Sequence, residues 1–295
     1  MQNPLMAQKN NSSVLKITQE ILNEEQLDIK LQLNSNLLLK IRDLLSSNKN
    51  DIVKLDSNGL VIELIDDDKK IQLLSWALSF NEKWEYFGFL KSYNEIKKEY
   101  EVFELIPTDF HTAYEQSGNY DQQNWPSGVY TKLIENEYNN RKYYTLLGWL
   151  APDQQTAYKF VEVVTLSKNG KPYFGKSKYF KKDKEFSNRL LFGYFFQSKF
   201  LLNYGKYDYT TKKWNRKKKK YEFMQQSDDL IVFDQLISMY PEMYDRAEFL
   251  VPVGNAVNAF IFEKGKWIYI SDIDARNLKQ KVRKTNSPDL DLFDK

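Results

Sequence analysis

The chain contains no cysteine, which removes disulfides, thiolate nucleophiles and cysteine-based zinc sites together and leaves the redox compartment unwritten. Histidine is nearly absent as well: His111 stands alone, so metal centres built on two or more imidazoles are excluded. Only 11 glycines and 8 prolines occur in 295 residues, which argues against collagen-like, linker-rich or low-complexity chains. No apolar run approaches the roughly 18 residues that a membrane-crossing helix requires. Charge of one sign is lacking too: 43 basic and 40 acidic side chains leave a net +3. No overall field therefore draws the protein to nucleic acid or to an anionic membrane, and any such role must come from a local patch.

What the chain has is aromatic surface. Its 20 Tyr, 19 Phe and 6 Trp supply the area for a packed core, and its length suits one large all-β domain or two smaller ones. Residues 1–8 set small Ala7 before polar Gln8, the pattern of a secretory cleavage end, against the simpler reading of a frayed terminus. Residues 1–11 are accordingly expected to be disordered or a signal remnant. In 12–50, Leu38, Ile41 and Leu45 share a helical face and Ser12 or Ser13 offers an N-cap. Leu27, Ile29, Leu31 and Leu33 alternate with polar residues, so a short strand near 26–34 competes with the favoured pair of helices.

From residue 51 the texture changes to short apolar and aromatic runs between polar turns, the pattern of antiparallel strands. Runs at 60–65, 71–78 and 86–90 predict a meander, and a further run at 100–106 ends at Pro107. Those at 129–134, 143–149, 158–166, 189–197, 200–204, 230–236, 248–253, 259–263 and 267–271 continue the pattern. Asn169-Gly170 predicts a type I′ hairpin turn, which needs positive φ at both central residues. The expected fold is mainly β (α+β): an N-terminal helical segment, then an antiparallel meander, sandwich or open barrel over 51–276, with a division near 107–127 as a variant and a flexible charged tail at 277–295.

The chemistry-bearing residues are sparse. Asp109 beside His111 does not make a triad, and there is no G-x-S-x-G pattern, so no catalytic residue is assigned. Acids gather at Asp66-Asp67-Asp68, at Asp228-Asp229 with Asp234, and at Asp272 with Asp274. None forms a calcium-loop pattern, so they read as solvated turns, and no metal or cofactor is expected. A glycosidase carboxylate pair would leave no local motif, so Asp228, Asp229 and Asp234, or Asp272 and Asp274, are also the candidates for a carbohydrate hydrolase. The basic run at 212–221, with Trp214 and Tyr221 at its ends, suits either phosphate and base contacts or a solvated hairpin tip whose lysines block strand pairing. Among Trp76, Trp84, Trp125, Trp149 and Trp267, which sit in or beside the strand runs, only Trp125, in the breaker-rich stretch 108–126, is expected to face a ligand. Ligand contacts are thus assigned to Trp125, His111 and Trp214.

The segments Tyr143-Tyr144-Thr145-Leu146-Leu147-Gly148-Trp149, Val164-Thr165-Leu166-Ser167-Lys168-Asn169-Gly170-Lys171-Pro172 and Phe174-Gly175 resemble a family of uncharacterised exported bacterial proteins. So do Leu230-Ile231-Val232-Phe233-Asp234-Gln235-Leu236, Phe262-Glu263-Lys264-Gly265-Lys266-Trp267 and Asp272-Ile273-Asp274-Ala275-Arg276-Asn277. The likeness runs from about Leu73 onward; the basic run at 212–221 departs from it. It implies a signal peptide and a place in the periplasm or cell envelope of a bacterium, with the cytoplasm as the alternative, and it implies no activity. The resulting expectation is an exported envelope protein with a non-catalytic binding or structural role and a protein or glycan partner. A hydrolase with paired carboxylates and an anion or nucleic-acid binder acting through 212–220 are the alternatives. Nucleic acid is the less favoured partner, and no transmembrane segment is expected.

Overall fold

The computed structural model describes residues 4–57, 59–80, 83–108, 119–175 and 177–270. Two helices come first, α1 (Pro4–Asn23) and α2 (Leu27–Ser47). Leu37, Ile41, Leu44 and Leu45 recur at helical spacing and form the buried stripe of α2. Leu27 and Leu31, one turn apart, pack on the same cluster, so helical period wins over the alternation at 26–34 and no strand forms there. Helix α1 begins at Pro4, where a missing N–H carries no penalty. Ser12 and Ser13 therefore lie inside a helix and do not cap one, and Ala7-Gln8 falls within α1.

The strands follow in three sheets. β1 (Ile62–Ile65), β2 (Ile71–Phe80), β3 (Lys83–Asn94) and β4 (Glu99–Leu105) form an antiparallel meander. β5 (Tyr120–Asp121), β6 (Val129–Tyr138), β7 (Arg141–Leu150), β8 (Thr156–Leu166) and β9 (Pro172–Phe174) make a second sheet in the order β5-β9-β8-β7-β6. Then come β10 (Phe180–Lys182), β11 (Glu185–Ser187) and β12 (Arg189–Phe195), the last pairing with β8. β13 (Leu202–Asn215), β14 (Lys220–Ser238), β15 (Leu250–Glu263) and β16 (Lys266–Ile270) complete a third sheet, ordered β11-β10-β16-β15-β14-β13. All of its pairings are antiparallel except β10 with β16, which is parallel.

The layers stack as helices, sheet, sheet, sheet. Leu74, Trp76, Leu78 and Phe80 alternate along β2 and meet Val14, Ile17, Ile21 and Leu37 of the helices. The opposite face of this first sheet, with Leu73, Tyr86 and Leu90, meets Tyr130, Leu146 and Phe160 of the second. The reverse face of the second sheet carries Leu147, Val161 and Val163 against Phe180, Phe233, Phe260 and Trp267 of the third. The middle sheet is thus buried on both sides, and the uninterrupted burial of β7 from Tyr143 to Gly148 accounts for its unalternating apolar run. Sheets on either side of 107–127 share one core.

Two polar devices tie the layers together. Lys91 of β3 is fully buried, and its ammonium donates to the carbonyls of Asn48 at 2.7 Å and Asp51 at 2.6 Å, just past the end of α2. Burial pulls its pKa down to about 8. The acidic turn 66–68 is solvated at Asp67 and Asp68, but Asp66 is buried and accepts from Ile71 N at 2.7 Å, and Asp68 pairs with Lys142. Lys142 also holds Glu135 at 3.2 Å, so this turn clamps the β1–β2 hairpin to the β6–β7 hairpin.

The Asn169-Gly170 hairpin forms, but with a different turn. Gly170 alone has positive φ, 80°. Its N–H donates to Ser167 O at 2.8 Å and Ser167 N–H donates to Lys171 O at 3.0 Å, which makes a three-residue loop with glycine in the left-handed position. The longer loop lets Gly170 O accept from Ser92 Oγ at 2.6 Å and dock on β3. Type I′ geometry appears instead at Asn139-Asn140 (φ 52° and 57°) and Lys264-Gly265 (φ 50° and 77°).

Candidate functional site

The first half of β3, the end of β4, the β7–β8 connection and Leu38 of α2 enclose a groove of about 890 Å³. A mostly apolar concavity of this size with a few polar groups is where a small ligand or chain segment binds by default. Its aromatic wall is Trp84 and Tyr86, on one face of β3; Phe87, on the other face, Ile106 and Pro107 line it further, and Glu85, Glu104 and Asp153 supply carboxylates.

The wall is braced from behind. Trp84 meets Trp149 edge-on at 5.4 Å between ring centroids, and Tyr86 meets the same indole at 6.4 Å. The Tyr86 hydroxyl donates to Ala151 O at 3.0 Å and accepts from Ala151 N at 2.6 Å, which pins the β7–β8 connection to β3. Burial raises its pKa well above the ordinary tyrosine value. Ser127, also on the wall, has φ 65°, a left-handed conformation uncommon outside glycine and frequent at functional sites. Gly128 follows at φ 127°, where a Cβ would come within 2.5 Å of the Phe160 ring. This pair turns the chain from Trp125 into β6.

Under the groove runs a buried polar chain. Trp125 is fully buried and its indole donates to Tyr130 OH at 2.8 Å. Tyr130 OH in turn donates to the Glu162 carboxylate. Arg189, opposite Glu162 across β12 and β8, holds it through Nε at 2.7 Å, and both side chains are inaccessible to solvent. Burial pushes Glu162 above the usual carboxylate range, against the pull of Arg189 and Tyr130. The guanidinium also lies over the rings of Phe160 and Tyr120 at 5.4 and 5.5 Å. The attraction within such a pair goes largely to offsetting the cost of taking both charges out of water, so removing one partner costs more than replacing both.

These positions differ from the sequence expectation. Trp125 is not a surface contact: surrounded by breakers, it still turns inward because its N–H finds Tyr130. His111 lies outside the described residues, as do Asp272 and Asp274. Trp214 sits in β13 in register with Tyr221. Asp228 and Asp229, adjacent on β14, face opposite ways; Asp228 accepts from Tyr209 OH at 2.8 Å and Asp234 accepts from Leu201 N at 2.7 Å. The groove lining includes none of the three. Among the described residues no three His, Cys, Asp or Glu side chains gather as metal ligands, and no helix is long and apolar enough to cross a membrane.

The groove itself went unseen in the sequence because its lining comes from segments far apart in the chain. One local signal did exist for the chain beneath it: Glu162 interrupts the apolar stretch Phe160-Val161-Glu162-Val163-Val164, and a lone charge inside a doubly buried strand demands a partner. No family model matches the chain, and neither does any curated protein or solved structure.

Proposed function

We propose that this is a non-catalytic binding protein, exported to the bacterial envelope, whose groove takes a short glycan segment. The observation that carries the reading is the braced aromatic wall of Trp84 and Tyr86 beside three carboxylates. Sugar rings present apolar C–H faces that rest on such rings and hydroxyl rims that donate to carboxylate oxygens. Binding is favoured over hydrolysis because two of those carboxylates are already committed. Glu104 pairs with Arg42, and Asp153 accepts from the backbone of Gln155 at 2.8 Å and Thr156 at 2.7 Å. Export rests on the likeness of the strand and turn segments to exported bacterial proteins.

A glycan array followed by calorimetry tests the groove. Trp84→Ala is expected to weaken the best ligand about tenfold or more, through loss of roughly 1.5–3 kcal/mol of ring contact, with no sugar product released on long incubation. Absence of any glycan ligand overturns the reading, and release of cleaved product replaces it with hydrolysis.

A further inference from the structure

The β13–β14 hairpin outgrows its sheet. β15 pairs with β14 only from Leu230 onward, so residues 220–229 are bonded to β13 alone. A two-stranded ribbon some 30 Å long therefore stands beyond the third sheet. Its tip carries Arg216, Lys217, Lys218, Lys219 and Lys220 in succession, all exposed. Just behind them Tyr221 is 53% exposed, Phe223 71% and Met224 42%. Glu222, near the tip, pairs with Lys218 at 2.9 Å, while Asp208, Asp228 and Asp229 lie at the opposite, sheet-proximal end.

We propose that this ribbon tip docks the protein on an anionic lipid surface. Lys206, Lys212 and Lys213 lie on the edge strand β13, where lysines block strand pairing, but Arg216, Lys217, Lys218 and Lys219 occupy the connecting loop, which has no edge to guard. Charge is divided along the ribbon axis, so an anionic plane attracts the tip and repels the base. The apolar side chains project from both faces, Phe223 from one and Met224 from the other. A nucleic-acid strand stacks on one face; the boundary between headgroups and acyl chains surrounds the tip and takes both. The lysines' aliphatic stems add to that apolar collar.

Vesicle flotation of the full chain tests this, with phosphatidylcholine vesicles with and without phosphatidylglycerol. The protein is expected to float only with phosphatidylglycerol present. A variant combining K217S, K218S and K220S with K219N, the asparagine chosen because Lys219 has φ 47°, should bind roughly a hundredfold more weakly. F223S/M224S should lose about tenfold, most visibly at high salt where the charge contribution is screened. Both variants change exposed side chains and should melt with the parent. Equal flotation with and without phosphatidylglycerol, undiminished binding of the lysine-poor variant, or capture of a single-stranded oligonucleotide without vesicle binding would each overturn the proposal.

Discussion

The middle sheet and the β13–β14 ribbon are built from the same kind of pairing and live in opposite surroundings. β7 and β8 are covered on both faces by neighbouring sheets, whereas residues 220–229 have only β13 beside them. In the first, packing and buried polar contacts decide the structure; in the second, backbone pairing with a few side-chain contacts such as Tyr209 with Asp228 holds two strands together, an arrangement marginal in isolation. Strand content by itself therefore says little about where stability resides.

The contrast is sharpest at Arg189. R189M should destabilise the protein by about 3–5 kcal/mol by stranding the buried Glu162 carboxylate, while E162L/R189M should regain most of that loss. Denaturant titration of the two variants checks this, and equal midpoints would show that the ion pair is not what matters there. G148A comes next: the added methyl would press on the Phe160 ring and approach Val129 O to 2.7 Å, for an expected loss of about 1–3 kcal/mol.

A pH experiment separates the layers differently. Between pH 8 and about 9.5 the unfolded chain keeps a proton on Lys91 that the folded chain has released. Stability should therefore rise with pH over this window, by an amount on the order of 1–3 kcal/mol, and K91M should flatten the rise. Above about pH 10 the sign reverses. Tyr86, Tyr144 and Tyr194 are raised chiefly by burial, Tyr194 to about 12, so unfolding then releases protons and stability falls. The smallest effect belongs to the ribbon: Y221S should shift the melt by no more than about 0.5 kcal/mol. Hydrogen exchange should find amides 220–229 opening long before those of 144–149.

Much of the fold was legible. Residues 71–78 and 143–149 carry the aromatic and β-branched texture of strands and lie within β2 and β7, and the apolar stripe of α2 shows at Leu38, Ile41 and Leu45. Pairing was not legible, because nothing local marks Phe180 as the partner of Trp267. The type I′ turn was expected at Asn169-Gly170 and occurs where two consecutive residues reach positive φ, at Asn139-Asn140 and Lys264-Gly265; loop length, which the dipeptide does not encode, decides between them. The groove was hidden for the same reason as the pairing. Trp84, Leu105, Ser127 and Ala151 meet only after two sheets have stacked.

The insertion of β16 between β10 and β15 also sets an order of events for a chain leaving the ribosome. Trp267 pairs with Phe180 and donates its indole N–H to Thr145 Oγ1 at 2.9 Å, 122 residues earlier. The first two sheets can close as soon as residue 195 has emerged, but β10 and β15 each present an open edge until 266–270 arrive. A stalled or truncated product ending before residue 266 would carry two unsatisfied strand edges, and self-association of such products is the hazard this topology builds in.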